Sequence, residues 1–441
     1  MFLLATGLAS FYYLAASAHA RIVNTSKARG DQSAYLGEAE LIYRNWTGAN
    51  NPPVMQPRNR MPLYPSFLAA LYDPAWSDDE FFVHAKTQSI VLSLLLVAIV
   101  GLILWRSLPP LLALNLFLIV AFGSFVFRAG YVQSELLFDT LNFATFVAMW
   151  RLFRVSSPRA GIVWGMSAGV LAALAQLTKA SMLPLVVIFL IAWLGTAAVQ
   201  FSNGRRASLV WRLASACCLI AAFLAVLAPY ITTSKRVYGQ YFYNLNTSAL
   251  IWYDDYPEAS VALMHYAPNG WPEGPPETRP GPLRYWREHS IRAIAARFGH
   301  GFLDMVTSSY RTFWYLKFVA IYLAGIGVLA ATRWSAFKDL LGRNRPLAAF
   351  LILYAAMYLP AIAFYEPISG TGTTRFLMAH LTPLMFACSA VFAREPFRRA
   401  SWPVAGVEIT ATHVHAAVLA TIALDIIFWL WPRLMNTYAG F

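Results

Sequence analysis

Asp31, Glu135, Lys179 and Arg375 are the residues whose types and positions could carry chemistry. Asp31 follows Gly30 in a polar segment lying between a hydrophobic N-terminus and a long series of apolar stretches. A carboxylate fixed just outside a membrane can take the proton of an acceptor hydroxyl as a general base. The same position suits a plain helix N-cap, where Asp is favoured. Glu135 opens an apolar stretch in Gln133-Ser134-Glu135, with Asp139 one helical turn deeper. Ionisable groups in such stretches are costly and are functional candidates by default. A carboxylate at the end of a stretch can equally rest in water, and Asp139 can pair with a basic neighbour. Lys179, after Leu177-Thr178, and Arg375, after a Gly-Thr-Gly-Thr-Thr run, are lone cations. They could meet the charge of a phosphate group, or simply snorkel to the membrane surface.

The elements that must position these groups are membrane spans. The 441 residues are 58% hydrophobic and 12% charged, with a mean hydropathy of +0.51. A soluble chain carries about twice that charged fraction. Runs of the length needed to cross a bilayer fall at 2–18, 87–105, 108–127, 135–150, 161–177, 182–199, 213–231, 313–331, 347–365, 376–392 and 414–431. The expected fold is therefore an all-α integral membrane protein of about eleven transmembrane helices. It forms a single polytopic domain over residues 1–441. Crossing from a cytoplasmic N-terminus puts Arg106, Arg151, Arg154, Arg159, Arg205, Arg206, Arg212, Arg333, Lys338, Arg343, Arg345, Arg394, Arg398 and Arg399 inside. The short outer connections then hold only Arg128, Lys179 and Arg375, which is the usual bias of basic residues. Ala18-His19-Ala20 has the look of a signal-peptidase site, but the absence of a preceding basic residue favours a retained first helix.

Two large extracytoplasmic loops follow, at 21–86 and 235–311. In the first, Tyr35, Ala39, Ile42, Tyr43 and Trp46 recur at helical spacing, an amphipathic helix suited to the membrane surface. Residues 50–57 break it, and 65–72 form a second short helix. The second loop is rich in Tyr, Trp and Pro, and its 269–282 part reads as irregular. Its aromatics could stack on sugar rings, although interfacial packing is the commoner role. Asp254-Asp255, with Glu258 and His265 nearby, could take a divalent cation, but two adjacent loop acids are weak grounds and no metal site is assigned. Much of the net charge of +13 is the inner excess of basic residues, which attracts anionic lipid headgroups, so it requires no nucleic acid. Cys217, Cys218 and Cys388 fall in apolar runs and read as small buried hydrophobes.

Four segments together resemble the polytopic C-type glycosyltransferases, the superfamily of protein mannosyltransferases and bacterial lipopolysaccharide sugar transferases. They are Gly30-Asp31-Gln32-Ser33-Ala34-Tyr35, Arg60-Met61-Pro62-Leu63-Tyr64-Pro65, Gln133-Ser134-Glu135 with Gly165 to Lys179, and Arg375 to Pro383. The resemblance implies a polyprenyl-phosphate sugar donor, an acceptor that is a glycan, lipid or protein, and an inverting hexosyl or pentosyl transfer. It implies Asp31 and Glu135 as the catalytic acids, Arg375 and Lys179 on the donor phosphate, and Tyr35, Tyr64 and Arg60 on the substrates. Many relatives have Asp-Glu where this chain has Asp31-Gln32, which leaves a second acid in the first loop unassigned. No nucleotide cofactor is called for, and no glycine-rich phosphate loop is found. Compact loops favour a bacterial inner membrane with the site facing the periplasm.

A transporter or flippase of a lipid-linked saccharide is the main alternative. It would spread charges through mid-membrane helices and often show two similar halves. A non-catalytic assembly subunit is the other, and it would tolerate neutralisation of Asp31. The gathering of acids and cations at one face favours an enzyme.

Overall fold

The structure, a computed structural model, describes residues 2–51, 54, 58–202, 206–266, 278–312, 316–369, 373–404 and 406–436. Helices α1 (Phe2–Ile22), α2 (Gln32–Trp46) and α3 (Leu63–Ala69) precede the long α4 (Asp78–Ser107). Helix α5 (Pro110–Val120) passes through a π-helical turn, Ala121–Phe125, into α6 (Val126–Arg128). Next come α7 (Glu135–Leu152), α8 (Pro158–Thr178), α9 (Leu183–Ser202) and α10 (Arg206–Tyr238). The second polar stretch folds as α11 (Leu245–Ser248), α12 (Tyr256–Leu263) and α13 (Pro282–Glu288). The remainder is α14 (Ile291–Thr312), α15 (Leu316–Thr332), α16 (Trp334–Arg343), α17 (Arg345–Ser369) and α18 (Thr373–Phe392). An antiparallel ribbon, Ser401–Val404 against Val407–Thr410, then leads into α19 (Ala411–Leu434).

The chain is nearly all α, at 79% helix. Each apolar run expected to span lies within one of these helices or an unbroken α–π–α succession of them, apart from a few residues at run ends and from 313–315, which lie outside the described residues. Among the described residues, seven helices are long and apolar enough to cross a membrane, or up to eight if α15 and α16, bent by 106°, count as one broken span. The difference from about eleven has physical causes. Helix α7 carries Glu135, Asp139 and Arg151 in its 18 residues, and α9 offers a shorter apolar helix, Leu183–Val199. In the first loop, the expected surface helix is α2 and the second short helix is α3. Much of 50–57 lies outside the described residues. So does most of 269–282, whose last residue, Pro282, instead opens α13, a position proline suits because its missing N–H is not needed there.

Local signals set the helix ends. Ser77 and Glu80 form a capping box at the start of α4, and Thr410 does the same with His413 for α19. Helix α8 starts at Ser157, whose hydroxyl accepts the Ala160 N–H. It packs against α10 through Gly161, Gly165 and Gly169: a Cβ added to Gly165 would sit 2.5 Å from the Ser215 carbonyl oxygen. That one-glycine-per-turn spacing allows the close backbone approach common between membrane helices.

Helix α7 runs through the centre. Nearly all of its side chains are buried, and Phe146 and Trp150 interleave with Phe350, Tyr354 and Phe386 from α17 and α18. Its polar groups therefore face protein and not lipid. By contrast α19 is peripheral, with Leu424, Ile427, Phe428 and Trp429 exposed.

Candidate functional site

Gly30 adopts φ 65°, a left-handed turn that suits glycine, and delivers Asp31 to the start of α2. Asp31 occupies the N-cap position, yet its side chain makes no capping hydrogen bond. Its carboxylate is used elsewhere: Oδ1 accepts from Arg60 Nη2 at 3.1 Å and Oδ2 from Arg375 Nη1 at 2.8 Å. Arg375 Nη1 also lies 3.5 Å from Glu135 Oε1, which accepts from Lys179 Nζ at 3.0 Å. The result is a row of alternating charge, Arg60–Asp31–Arg375–Glu135–Lys179, joining residues up to 344 apart in sequence.

Each member sits at or near a helix end. Glu135 begins α7, Lys179 caps the C-terminus of α8, Arg375 lies in the first turn of α18, and Arg60 just precedes α3. Because α7 and α8 are joined by a short turn, the start of one and the end of the other meet at the same end of the bundle. Burial opposes ionisation of Asp31, but the Arg375 and Arg60 guanidiniums outweigh it and hold its carboxyl below the usual range.

Aromatic rings wall the row. The Arg60 guanidinium lies over the Tyr35 ring, 5.4 Å from its centroid, and the Tyr35 hydroxyl pairs with Ser134 Oγ at 2.7 Å. Tyr64 meets Tyr35 edge to face at 5.3 Å and its hydroxyl pairs with Ser89 Oγ at 2.7 Å. Lys179 sits 4.7 Å from the Phe376 centroid. The seven residues singled out from the sequence thus form one contiguous group. Three of its buried polar atoms, Arg60 Nε, Arg375 Nε and Glu135 Oε2, have no hydrogen-bond partner among the described residues. Buried polar groups are almost always paired, so their concentration here marks a place for a polar ligand or water. The two orphaned N–H groups suit an oxyanion.

Gln32, beside Asp31, is fully buried. Its Nε2 donates to Asn24 Oδ1, Ser26 O and Arg29 O at 2.8, 3.2 and 3.1 Å. Its Oε1 accepts from Asn24 Nδ2 at 2.8 Å and the Val132 N–H at 3.0 Å. The amide ties the end of α1, the turn before α2 and the segment before α7 together, and so sets Asp31 against Arg375. A glutamate could not donate to three oxygens. Gln32→Glu is expected to cost roughly 2–4 kcal/mol of stability through these lost donors and a buried charge; melting of the purified protein in detergent checks it, and an unchanged transition would remove Gln32 as the tie.

Sequence reasoning passed over Glu38. It is only 9% exposed, has no hydrogen-bond or ion-pair partner among the described residues, and lies two turns beyond Asp31 on the same face of α2. Burial pushes its carboxyl up to about 7, with the Arg60 charge offsetting only part of this. The spacing 31, 35, 38 was the signal that could have found it. Deeper in the bundle, Asp139 is buried with no hydrogen-bond partner among the described residues. Below it Asn142 donates to the Ala379 carbonyl at 2.7 Å, and the Tyr354 hydroxyl pairs with His380 Nδ1 at 2.5 Å.

The second loop forms a separate cluster. Asp254 accepts from the Tyr285 hydroxyl at 3.1 Å and pairs with His289 Nε2 at 3.0 Å. Arg297 is anchored on the carbonyls of Phe364, Tyr253 and Ile251. Asp255 caps α12 by accepting from the Glu258 N–H at 2.8 Å, and Glu258 in turn accepts from the Asp254 N–H at 2.8 Å. His265 bonds within its own turn. Among the described residues no group of three or more His, Cys, Asp or Glu could hold a metal ion. No protein-family model, curated protein or solved structure matches the chain.

Proposed function

We propose that the chain is a membrane glycosyltransferase that moves a sugar from a polyprenyl-phosphate donor to a glycan, lipid or protein acceptor. The observation that carries this reading is the Arg60–Asp31–Arg375–Glu135–Lys179 row at one end of an apolar bundle, with two guanidinium N–H groups left unpaired. A donor phosphate at that end would draw on Arg375 and Lys179, while the polyprenyl tail stayed among apolar helix faces. Cations so placed stabilise the charge that develops on a leaving phosphate. The donor carries its own activation in the phosphoester bond, and inversion at the anomeric carbon follows the resemblance. Tyr35, Tyr64 and Arg60 would line the substrates. The basic residues in the short connections support eleven crossings with a cytoplasmic N-terminus and this end facing the periplasm of a bacterial inner membrane.

The flippase reading draws on one observation, the unpartnered Asp139 one turn below Glu135. The transferase reading accounts for more, since the paired charges gather at one end. Its test compares cells with and without the chain, reading lipid-linked sugars and envelope glycans by mass spectrometry. Loss of one sugar from a glycan, with its polyprenyl-phosphate donor accumulating, is the expected result. If both pools are unchanged, the reading fails; if the lipid-linked sugar accumulates only on the inner face, the flippase takes its place.

A further inference from the structure

Resting on the transferase reading, we propose that Glu38, and not Asp31, accepts the proton of the acceptor hydroxyl, while Asp31 stays ionised as the anion that sets Arg60 and Arg375. The geometry separates the two acids by what each is already doing. Both oxygens of Asp31 are taken by guanidiniums, at 3.1 and 2.8 Å. Glu38 has neither a hydrogen bond nor an ion pair among the described residues, although it is 9% exposed. Asp31, Tyr35 and Glu38 follow at i, i+4 and i+7, one face of α2. At 1.5 Å per residue, Glu38 lies about 10 Å along the helix from Asp31, with the Arg60 and Tyr35 pair between them. An acceptor bound beside that ring would have Glu38 on one side and the charged row on the other.

The surroundings of Glu38 leave its proton affinity near neutrality. Its neighbours on α2, Tyr35, Leu36 and Ala39, are buried in one cluster with Tyr64 of α3, Phe81, Phe82 and Ala85 of α4, and Val132 before α7. On α2 itself the ionisable neighbours are Tyr35 and Asp31, and Glu40 is paired with Arg44 at 2.5 Å. Arg60 is the one cation whose charge acts on Glu38 to offset burial. A base titrating near the working pH is the efficient one, whereas an acid held below its usual range by two arginines is a weak base. In the transfer, the acceptor oxygen bonds to the anomeric carbon as its proton passes to the Glu38 carboxylate. The bond from that carbon to the phosphate oxygen breaks with its electron pair on the phosphate, beside Arg375 and Lys179. Water then takes the proton from Glu38.

The test uses membrane vesicles carrying wild type, Glu38→Gln, Glu38→Asp or Asp31→Asn, with the lipid-linked sugar pool extracted from the producing cells as probe. Pool consumption is followed from acid to alkaline pH, alongside the thermal transition of each protein. Wild type is expected to gain rate as pH rises through about 7, because the base must be deprotonated. Glu38→Gln should lose about a hundredfold or more, keep its apparent KM for the pool and show no rise near 7, and Glu38→Asp should recover part of the rate. A wild-type rate that is flat down to acid pH, or Glu38→Gln with the wild-type profile, overturns the proposal and returns the proton to Asp31. Consumption by no sample, wild type included, would sink the transferase reading and this inference with it. The thermal data supply a check that needs no substrate. The folded chain keeps the Glu38 proton to higher pH than the unfolded chain, so wild type should lose stability relative to Glu38→Gln as pH rises from the ordinary glutamate range through about 7. A constant difference would mean that the carboxyl is not held as described, and would overturn the proposal.

Discussion

On the proposed transferase reading, Asp31→Asn is expected to cut sugar transfer by about a hundredfold or more while leaving the fold intact, because misplacing charged donors by an ångström costs that much. Asparagine keeps the size, but only its one carbonyl oxygen can accept, so it keeps the bond to one arginine and turns an NH2 toward the other. It cannot balance charge. In the wild type Asp31 bridges Arg60 and Arg375; in the variant, those two cations repel across a neutral amide and Arg375 is left with Glu135 as its acidic partner. Freed of its partner, Arg375 becomes a better phosphate ligand, so the donor should bind at least as well as to wild type. The expected pattern is therefore a lower kcat with an unchanged or lower KM for the lipid-linked sugar. Such a split marks loss of an interaction used in the transition state and not of uniform binding. Wild-type turnover by a correctly folded Asp31→Asn would reduce the Asp31 bridge to packing and remove it from the transfer step.

Much of this site is legible in the sequence for a simple reason. Glu135, Lys179 and Arg375 each border an apolar stretch, Asp31 and Arg60 lie in the polar segment between the first two such stretches, and the up-and-down course of the helices carries these positions to one end. Hydropathy is a coarse property that survives errors of several residues at helix ends. What it does not carry is who pairs with whom. The N-cap position of Asp31 is readable from Gly30-Asp31 ahead of an amphipathic stripe, but the release of its side chain from capping depends on Arg375, which arrives from the other end of the chain. Gln32 looks like a lost acid in the sequence and is instead a buried amide with five polar contacts, all of which need tertiary structure to be visible. Asn24 matches a glycosylation sequon, yet it is fully buried against that same amide and the Gly130 carbonyl. The span count also resists hydropathy alone, because α7 is central and tolerates charges that a lipid-facing helix would not.

The second large effect is expected at Lys179. Lys179 and Glu135 form an ion pair with side chains only 14% and 5% exposed, and Glu135 Oε2 already lacks a partner among the described residues. Lys179→Met fills nearly the same volume but strands the carboxylate, and breaking a buried pair from one side costs about 3–5 kcal/mol. Arg375, 3.5 Å from the same oxygen, can recover some of that by turning toward Glu135, at the expense of its bond to Asp31. Stability and organisation of the site should therefore fall together in the single variant. Neutralising both partners, Glu135→Gln with Lys179→Met, removes the stranded charge, and such paired replacements are often close to neutral. The double variant is thus expected to regain most of the lost thermal stability and little of the transfer activity. Melting curves and pool consumption measured on wild type, the two single variants and the double variant separate the two quantities. Recovery of both would make the pair a structural device, and recovery of stability alone assigns its charges to the donor phosphate.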